Sequence, residues 1–258
     1  MSTAMRPLVV IPTYNERDNL GCLIPAILDV DNRLHILVVD DASPDDTAAA
    51  VRELKASRSG QRLFLQCRTG KLGLGSAYVH GLKWGLAEGY DFLIQMDADW
   101  SHHPRYLVTM LDLAERADFV IASRYVSGGG TLNWGAGRRL VSRYASFCSR
   151  RILGMDVADF TGGFNGWSGH VLRDIGLDGL RSDGYSVQIE LKYLAHNLGY
   201  RHIEFPIVFG ERRAGTSKMS ASIALEACWR VWAFRLRSQT SNRRALARLK
   251  TATDTRAN

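Results

Sequence analysis

The sequence predicts an α/β fold, a single domain whose mostly parallel central sheet carries helices on both faces. Two observations lead to this class. Short apolar runs of strand length alternate with helix-length segments through the first half of the 258-residue chain, which is typical of strands joined by crossover helices. The composition is that of a folded domain, because 46% of the residues are hydrophobic and 23% are charged.

The elements can be assigned in order along the chain. Continuous apolar runs predict strands at residues 8–12, 35–39, 62–67, 91–96, 118–122 and 203–209. The intervening segments predict helices at residues 16–29, 45–56, 75–88 and 104–115, and a later helix that carries Arg138, Arg139 and Arg143. Pro104 supports the fourth assignment, because its fixed φ suits the first turn of a helix.

Polar motifs follow the first, second and fourth predicted strands. They occupy residues 12–16 (PTYNE), 40–47 (DDASPDDT) and 97–99 (DAD). In an open α/β sheet, ligands bind beyond the carboxyl ends of the strands. We therefore expect the three motifs to converge on one crevice.

Asp97 and Asp99 are the most informative residues of these motifs. Residues two apart on an extended strand end point the same way, so both carboxylates can aim at one point. Two hard oxygen ligands suit Mg²⁺ or Mn²⁺, and such an ion can hold a diphosphate. A solvated loop after a strand is the alternative interpretation of the same pair.

A glycine motif follows the third predicted strand. Gly73-x-Gly75 has two of the glycines of a dinucleotide-binding motif, but Tyr78 occupies the position of the third. The motif also follows the third strand of the chain, whereas the dinucleotide fingerprint follows the first. We therefore interpret it as a tight turn into a helix.

Two later segments combine small residues with cations. Glycines at 128–130 precede Trp134 and the arginines of the predicted helix, and residues 211–218 (ERRAGTSK) follow the last predicted strand. Glycine lowers the cost of moving a loop, and the arginine fork binds phosphate. These segments predict a loop that admits a phosphorylated acceptor and a loop that closes over a diphosphate. An ordinary linker and a solvated basic turn are the alternatives.

The lengths of the apolar runs and the spacing of the cysteines predict where in the cell the protein is located. No apolar run approaches the length of a transmembrane helix, and the first strand begins too early to leave room for a signal peptide. The widely spaced Cys22, Cys67, Cys148 and Cys228 predict free or buried thiols in a reducing compartment. We therefore expect a cytoplasmic location.

The C-terminal part, residues 221–258, is expected to be distinct from a main domain at 1–220. From Arg230 onward the chain has eight basic residues and the single acid Asp254, within a net charge of +7. A basic, partly disordered tail suits an anionic membrane surface better than nucleic acid, since no nucleic-acid motif is present. A tail that only keeps the protein soluble is the alternative. A tryptophan-containing helix at 223–236 could lie in the membrane interface or pack on the domain.

The ordered set of motifs resembles family 2 glycosyltransferases of GT-A fold. The residues that carry the resemblance are Pro12-Thr13-Tyr14-Asn15-Glu16, Val39-Asp40-Asp41 with Ser43-Pro44-Asp45, Gly73-Leu74-Gly75 with Ala77, and Asp97-Ala98-Asp99-Trp100-Ser101-His102-His103-Pro104. Within this family, the resemblance is greatest to the polyprenol (dolichol) phosphate mannose synthases. Three further features narrow it in this way: Ser123-Arg124-Tyr125, the glycines at 128–130, and the pair Arg212 and Lys218. The resemblance covers residues 6–220.

The resemblance implies transfer of mannose from GDP-mannose to the phosphate of a polyprenyl monophosphate. It assigns the guanosine part of the donor to Pro12, Tyr14, Glu16, Val39 and Asp41, and the ribose and diphosphate to Asp97, Ala98 and Asp99. It assigns the phosphate-binding cations to Arg124, Arg212 and Lys218. It assigns the acceptor phosphate to Arg138 or Arg139 with Ser142.

The resemblance also implies a metal cofactor, Mg²⁺ or Mn²⁺, on Asp97 and Asp99. Ser101 falls at the third ligand position, where several members of the family have Gln, and a neutral hydroxyl is the weaker ligand. Asn165 likewise stands where the family often has Arg.

The implied chemistry needs no strong general base. The second pKa of a phosphate monoester is about 6, so the acceptor oxygen is already ionised at neutral pH. The catalytic task is to align two anions and neutralise the leaving GDP, and it falls to Asp97, Asp99, Arg124, Arg212 and Lys218. Direct in-line attack predicts inversion, giving a β-linked product.

Other functions fit parts of the same pattern. The donor could be UDP-glucose, the acceptor could be a sugar or a protein, or the protein could bind its ligands without turnover. Asp40-Asp41 after a strand also resembles the acidic pocket of a phospho-acceptor signalling module. The enzyme interpretation predicts a peripheral protein on the cytoplasmic face of the membrane, held there directly or by a membrane-protein partner.

Overall fold

A computed structural model describes residues 5–56, 60–180, 182, 184, 186–210 and 231. The strands in these ranges are β1 (Pro7–Thr13), β2 (His35–Asp40), β3 (Leu63–Cys67), β4 (Phe92–Gln95), β5 (Phe119–Ser123), β6 (Gly130–Thr131), β7 (Asn165–Ser168), β8 (His202–Pro206) and β9 (Val208–Phe209). The helices are α1 (Arg17–Leu28), α2 (Thr47–Leu54), α3 (Leu74–Ala87), α4 (Tyr106–Ala114), α5 (Ala136–Leu153), α6 (Gly169–Ile175) and α7 (Ser186–Asn197).

The main sheet has seven strands in the order β3-β2-β1-β4-β7-β5-β8. All neighbours are parallel except β7, which runs antiparallel to both β4 and β5. The mostly parallel sheet confirms the predicted class. The reversed strand β7 was not predicted from the sequence, because its four residues, NGWS, have neither an apolar run nor an alternating pattern.

One predicted strand is divided in the structure. Residues 203–209 were expected to form a single strand, but β8 belongs to the main sheet and β9 pairs with β6 in a separate two-stranded sheet. The chain passes between the sheets at Ile207, whose N–H donates to Ser123 and whose carbonyl accepts from Gly130. Pro206 precedes this crossing and has no N–H to continue the ladder.

Both faces of the sheet are covered, as predicted. Leu8 and Val10 of β1 contribute to a core with α3, α6 and α7, whereas Val9 and Ile11 contribute to a core with α1, α2 and α4. Adjacent strand residues point to opposite faces, so a continuously apolar strand supplies both cores at once.

Helix α3 approaches the sheet unusually closely. A Cβ added at Gly81 would lie 2.3 Å from Val10 Cγ1, and one added at Gly85 would lie 2.5 Å from Leu93 Cδ2. The two glycines therefore let the helix backbone rest directly on β1 and β4. This contact holds the second half of α3 against the sheet.

Several predictions concern residues that the structure does not describe. Apart from Val231, which is buried in the α3/α6/α7 core, the predicted helix at 223–236 and the basic tail lie outside the described residues, as do Arg212 and Lys218. Among the described residues, no helix is long and apolar enough to cross a membrane. Cys22, Cys67 and Cys148 are free thiols.

Candidate functional site

A cavity of about 240 Å³ lies at the carboxyl ends of β1, β2 and β4, beside the start of α3. Its lining residues are Pro12, Thr13, Tyr14, Glu16, Asp41, Lys71, Gly73, Leu74, Ala77, Asp97, Ala98 and Asp99. The three polar motifs therefore meet in one crevice, which we call the donor cavity. Of the residues assigned to the donor by resemblance, Val39 is fully buried in the sheet below it and Arg124 lies elsewhere.

The loop after β1 is fastened to the loop after β2. The N–H groups of Asn15 and Glu16 donate to Ser43 Oγ (3.0 Å) and Thr47 Oγ1 (3.1 Å). Asn15 also has a left-handed backbone with φ of 61°, which Asn tolerates better than most residues. These contacts hold Tyr14 and Glu16 at the wall of the donor cavity.

The adjacent acids Asp40 and Asp41 have separate tasks. Asp40 points inward and accepts hydrogen bonds from Thr13 Oγ1 (2.9 Å) and the Ser43 N–H (3.0 Å). Asp41 pairs with Arg68 Nε at 2.6 Å and accepts the N–H groups of Leu72 and Gly73 at 3.1 and 3.0 Å. Both carboxylates therefore tie loops together, and Asp41 does so at the edge of the cavity.

The segment before α3 contributes more than the tight turn that was expected. Lys71 Nζ lies 3.9 Å from the centre of the Tyr14 ring, and both residues line the donor cavity. Sequence reasoning assigned no ligand-binding role to Lys71, Thr13, Leu74 or Ala77, although the last three belong to the motifs that carry the resemblance. The available signal was their position in the chain, because Thr13 ends β1 and the other three follow β3, and the carboxyl ends of parallel strands meet at one edge of the sheet.

Asp97 and Asp99 both line the donor cavity, and each is oriented by a neighbour. Asp97 Oδ1 accepts the Tyr78 hydroxyl at 2.7 Å, and Asp99 Oδ1 accepts the Ser101 N–H at 3.0 Å. Trp100, which directly follows Asp99, has a left-handed backbone with φ of 67°. This left-handed residue turns the chain sharply, so the N–H of Ser101 faces back toward Asp99.

His102 supports Asp97 from behind. Its Nδ1 accepts the N–H of Asp97 at 3.0 Å, and its ring stacks on Phe164 with centroids 4.8 Å apart. Burial lowers the pKa of His102, so the ring is neutral at pH 7 and its proton lies on Nε2, 3.9 Å from Asp97 Oδ2. The sequence offered no sign of this role, because the contact between His102 and Asp97 depends on how the loop folds.

The two carboxylates fit a divalent cation. Hard oxygen ligands on one cavity wall suit Mg²⁺ or Mn²⁺. No group of three or more His, Cys, Asp or Glu side chains within the described ranges could hold a metal ion, so the remaining ligands would come from diphosphate oxygens and water. Ser101 does not line the cavity, and its buried Oγ has no hydrogen-bond partner among the described atoms.

A second cavity, of about 430 Å³, opens beside β6 and the start of α5. We call it the basic cavity, because its lining combines three arginines with small and aromatic residues. The lining residues are Arg124, Tyr125, Gly129, Gly130, Thr131, Ala136, Arg139, Leu140 and Arg143. Arg138 is not among them and instead places its guanidinium 3.8 Å from the centre of the Trp134 ring.

Arg124 is held in a buried ion pair. Its Nε and one terminal nitrogen each donate to Asp159 at 2.7 Å, and the same terminal nitrogen reaches Thr161 Oγ1 at 2.8 Å. Burial opposes charge on both partners, but the Arg124 guanidinium overcomes this and lowers the pKa of Asp159 to about 2. Asp159 in turn raises the pKa of Arg124 above its usual value.

Ser142 lies beneath the basic cavity and does not line it. Its hydroxyl oxygen accepts the Tyr125 hydroxyl at 2.6 Å and is 3.3 Å from Thr161 Oγ1. The assigned acceptor residues are therefore separated: Arg139 faces the cavity, Ser142 joins the hydroxyl network under it, and Arg138 packs on Trp134. Arg143, which sequence reasoning placed only on the helix, also lines the cavity.

Phe209 packs against residues behind both cavities. Its ring contacts His102, which supports Asp97, and also Trp134, with centroid distances of 5.4 Å in both cases. Arg124 is 5.5 Å from the same ring, and the charge of Asp97 contributes to its raised pKa. The carboxylates of the donor cavity and the cation of the basic cavity are thus close enough to interact electrostatically.

The sequence matches glycosyl transferase family 2 over residues 8–176. The chain is 43% identical over 244 residues to polyprenol monophosphomannose synthase from Mycolicibacterium smegmatis, an alignment covering 94% of this chain and 92% of that protein. It is 42% identical over 223 residues to undecaprenyl-phosphate mannosyltransferase from Micrococcus luteus, covering 86% of this chain and 91% of the relative.

Solved structures show the same fold at low sequence identity. A glucosyl-3-phosphoglycerate synthase from Mycobacterium tuberculosis, in complex with Mn²⁺, UDP and glucosyl-3-phosphoglycerate, superimposes with a TM-score of 0.60 at 21% identity, over 91% of this chain and 80% of that one. A mannosyltransferase from Pyrobaculum calidifontis, in complex with GDP-Man and Mn²⁺, gives a TM-score of 0.55 at 19% identity, over 97% and 81%. The chain therefore belongs to glycosyl transferase family 2 and is a glycosyltransferase of GT-A fold.

Proposed function

We propose that the enzyme transfers mannose from GDP-mannose to the phosphate of a polyprenyl monophosphate, giving a β-linked mannosyl phosphate and GDP. Two relatives above 40% identity bear the names of polyprenyl-phosphate mannosyltransferases, and a structural neighbour contains GDP-Man. The observation that carries the proposal is the arrangement of the two cavities. An acidic donor site and a basic site suited to an anionic acceptor are linked through Phe209, whose ring contacts both His102 behind Asp97 and Arg124 of the basic cavity.

The donor cavity would hold the nucleotide sugar. Asp97 and Asp99 would bind Mg²⁺ or Mn²⁺, which neutralises charge on the leaving diphosphate. Tyr14 and Lys71 offer an aromatic ring and a cation to the nucleoside part. Arg212 and Lys218, which lie outside the described residues, remain the proposed cations for the donor phosphates.

The basic cavity would hold the acceptor phosphate. Arg139 and Arg143 supply charge at its surface, and Arg124 supplies charge at its base. The acceptor oxygen is mostly ionised at pH 7, so these residues need only bind and orient it. Attack from the basic cavity on the far side of the sugar from the diphosphate inverts the anomeric centre.

Helix α5 supports a peripheral position on the membrane. Its large apolar side chains face solvent, with Leu140 71%, Tyr144 62% and Phe147 55% exposed, whereas Ser142, Ser146 and Ser149 face the protein. The helix contains five arginines and no acid. An exposed apolar face flanked by cations is typical of helices that lie in the interface of an anionic bilayer. The mouth of the basic cavity is built from the same helix.

A donor and acceptor assay tests the reaction. Purified enzyme is incubated with labelled GDP-mannose or UDP-glucose, a polyprenyl monophosphate and Mn²⁺, and the lipid product is isolated. We expect mannose transfer and a β-linked product. Transfer of glucose alone would show that the donor is UDP-glucose and not GDP-mannose. A product with the retained anomer would overturn the in-line mechanism. Absence of any transfer would contradict the proposed function.

Vesicle flotation tests the membrane surface. The protein is floated with vesicles that contain anionic phospholipid, and the double variant Leu140→Asp, Phe147→Asp is compared with Leu198→Asp, which alters an exposed leucine outside α5. We expect only the α5 variant to lose binding. Equal binding by both variants would show that another surface, or a membrane-protein partner, holds the enzyme.

A further inference from the structure

A fully buried lysine lies under the basic cavity and has no role in the proposed reaction. Lys192 of α7 has no exposed surface. Its Nζ donates to three backbone carbonyls of one turn, those of Asp159 at 2.9 Å, Phe160 at 3.1 Å and Gly162 at 3.0 Å. An ammonium group has three protons, so every donor is used on this turn.

Glu204 binds the backbone N–H groups of the same turn. Glu204 of β8 accepts the N–H groups of Ala158 at 2.7 Å and Asp159 at 3.0 Å. The Asp159 carboxylate also accepts the N–H of Gly162 at 2.9 Å. Strand β8 and helix α7 therefore fix the backbone of residues 158–162 through charged hydrogen bonds, which are stronger than neutral ones.

The 158–162 turn carries Asp159, which is the ion-pair partner of Arg124. Asp159 receives two hydrogen bonds from the Arg124 side chain and one, at 3.0 Å, from its backbone N–H. Thr161, two residues after Asp159, contacts both Arg124 and Ser142. The position of the Arg124 guanidinium thus depends on where Lys192 and Glu204 hold the turn.

The charges around the turn balance as a group. Lys192 and Arg124 are cations, Asp159 and Glu204 are anions, and these are the charged groups that act on Lys192. Loss of the lysine charge would leave an excess negative charge beneath the cavity in which an anionic acceptor binds. The effect on the acceptor would be both geometric and electrostatic.

We propose that Lys192 is a positioning residue for the acceptor phosphate, acting through the 158–162 turn and Asp159 to hold Arg124 in the basic cavity. This inference rests on the proposed function, because it takes the acceptor phosphate to be the ligand that binds beside Arg124. Lys192 itself touches no substrate.

The wild-type enzyme provides the first test. Burial lowers the pKa of Lys192 to about 8, against a usual value of 10.5. The acceptor phosphate is fully ionised above about pH 7.5, so its own titration does not interfere. We expect the KM for polyprenyl phosphate to rise about tenfold from about pH 7.5 to about pH 9.5, while the KM for the donor changes little. An acceptor KM that is constant over this range overturns the proposal.

Variants provide the second test. Lys192→Met keeps most of the side-chain length but removes the charge and the hydrogen-bond donors. Leu191→Ala weakens the same helix through the apolar core and leaves the hydrogen bonds of Lys192 to the turn in place. We expect Lys192→Met to show the raised acceptor KM already at pH 7.5, with the rise toward pH 9.5 abolished. Leu191→Ala should keep the wild-type pattern. A shared change in both variants would indicate general destabilisation and refute the specific role.

A measurement without turnover separates this inference from the proposed function. The Arg124 Nε–H donates to Asp159 in the buried pair, so its ¹⁵N NMR signal should be protected from exchange with solvent. Exchange is catalysed by hydroxide, so protection is expressed relative to free arginine at the same pH. We expect this relative protection to decrease in the wild type between about pH 7.5 and about pH 9.5, as Lys192 loses its proton. Unchanged protection rejects the positioning role even if the enzyme transfers no sugar.

Discussion

At the scale of single residues, the site separates groups that face a ligand from groups that hold them. Asp97 and Asp99 face the donor cavity, while Tyr78, Ser101 and His102 set the orientation of their oxygens and backbone. Arg124 stands between these categories, because it lines the basic cavity yet most of its donors are taken by Asp159 and Thr161. Its charge therefore acts on a ligand mainly through the field of the whole buried cluster.

Replacing Asp99 should remove turnover without unfolding the protein. Asp99→Ala deletes one of the two carboxylates proposed for the metal, and we expect the rate to fall by at least about 100-fold. Initial rates at saturating Mn²⁺ and the thermal midpoint provide the measurements. Asp178→Ala, at an exposed acid paired with Lys83, is the control and should retain full activity. A nearly normal rate in Asp99→Ala would exclude it as a metal ligand.

The Arg124–Asp159 pair should make stability depend on acid. The folded pKa of Asp159, about 2, lies below its usual 3.8. The pair therefore stabilises the fold fully above about pH 4, and this contribution, about 2 kcal/mol, is lost as the pH falls toward 2. Urea unfolding across this range measures it.

The variant Asp159→Asn checks the assignment of that contribution. It leaves the buried Arg124 without its counter-charge, and we expect a loss of about 3–5 kcal/mol in the free energy of unfolding at pH 7. Its stability should also fall less steeply between pH 4 and pH 2 than that of the wild type. If the slopes are equal, other carboxylates account for the acid sensitivity.

At the scale of elements, strand ends and helix starts assemble the two cavities. The close contact between α3 and the sheet places Leu74 and Ala77 in the donor cavity, and the start of α5 supplies Ala136 and Arg139 to the basic cavity. The reversed strand β7 matters equally. It inserts between β4 and β5, and the segment leading into it carries Asp159, Thr161 and Phe164.

A methyl group between α3 and the sheet should disturb this assembly. Gly81→Ala would place a Cβ 2.3 Å from Val10 Cγ1, and we expect it to destabilise the fold by about 1–3 kcal/mol through overpacking. Gly21→Ala is the matched control in α1, where nothing lies within 4 Å of an added Cβ. It should be neutral or stabilise the helix by up to about 1 kcal/mol, because alanine favours helix. Equal effects in urea unfolding would contradict the close approach.

At the scale of the whole molecule, charge is distributed according to the proposed partners. The donor cavity is acidic and needs a cation, the basic cavity suits an anionic phosphate, and α5 carries arginines around an exposed apolar face. This arrangement would let the enzyme lie on a bilayer while the donor enters from water. Part of its membrane affinity should then be electrostatic.

Vesicle binding should therefore weaken as salt is added. Exposed charges are screened beyond about 8 Å at physiological ionic strength and beyond about 3 Å at 1 M salt. We expect flotation with anionic vesicles to fall between these conditions, and binding to neutral vesicles to be weak throughout. Binding that is insensitive to both salt and lipid charge would indicate that the arginines of α5 do not face the lipid.

The sequence by itself determined the fold class and the place of the donor cavity. Its apolar runs are local and continuous, and parallel strands align their carboxyl ends, so the motifs after β1, β2 and β4 had to meet. Only the tertiary structure decided that β7 runs in reverse and that Val39 and Ser142 lie beneath the cavities. It also decided that Lys71 contacts Tyr14 and that Lys192 donates to a turn at least thirty residues away. These features depend on side chains from distant segments packing together. No local pattern records such contacts, because burial and pairing are properties of the folded chain.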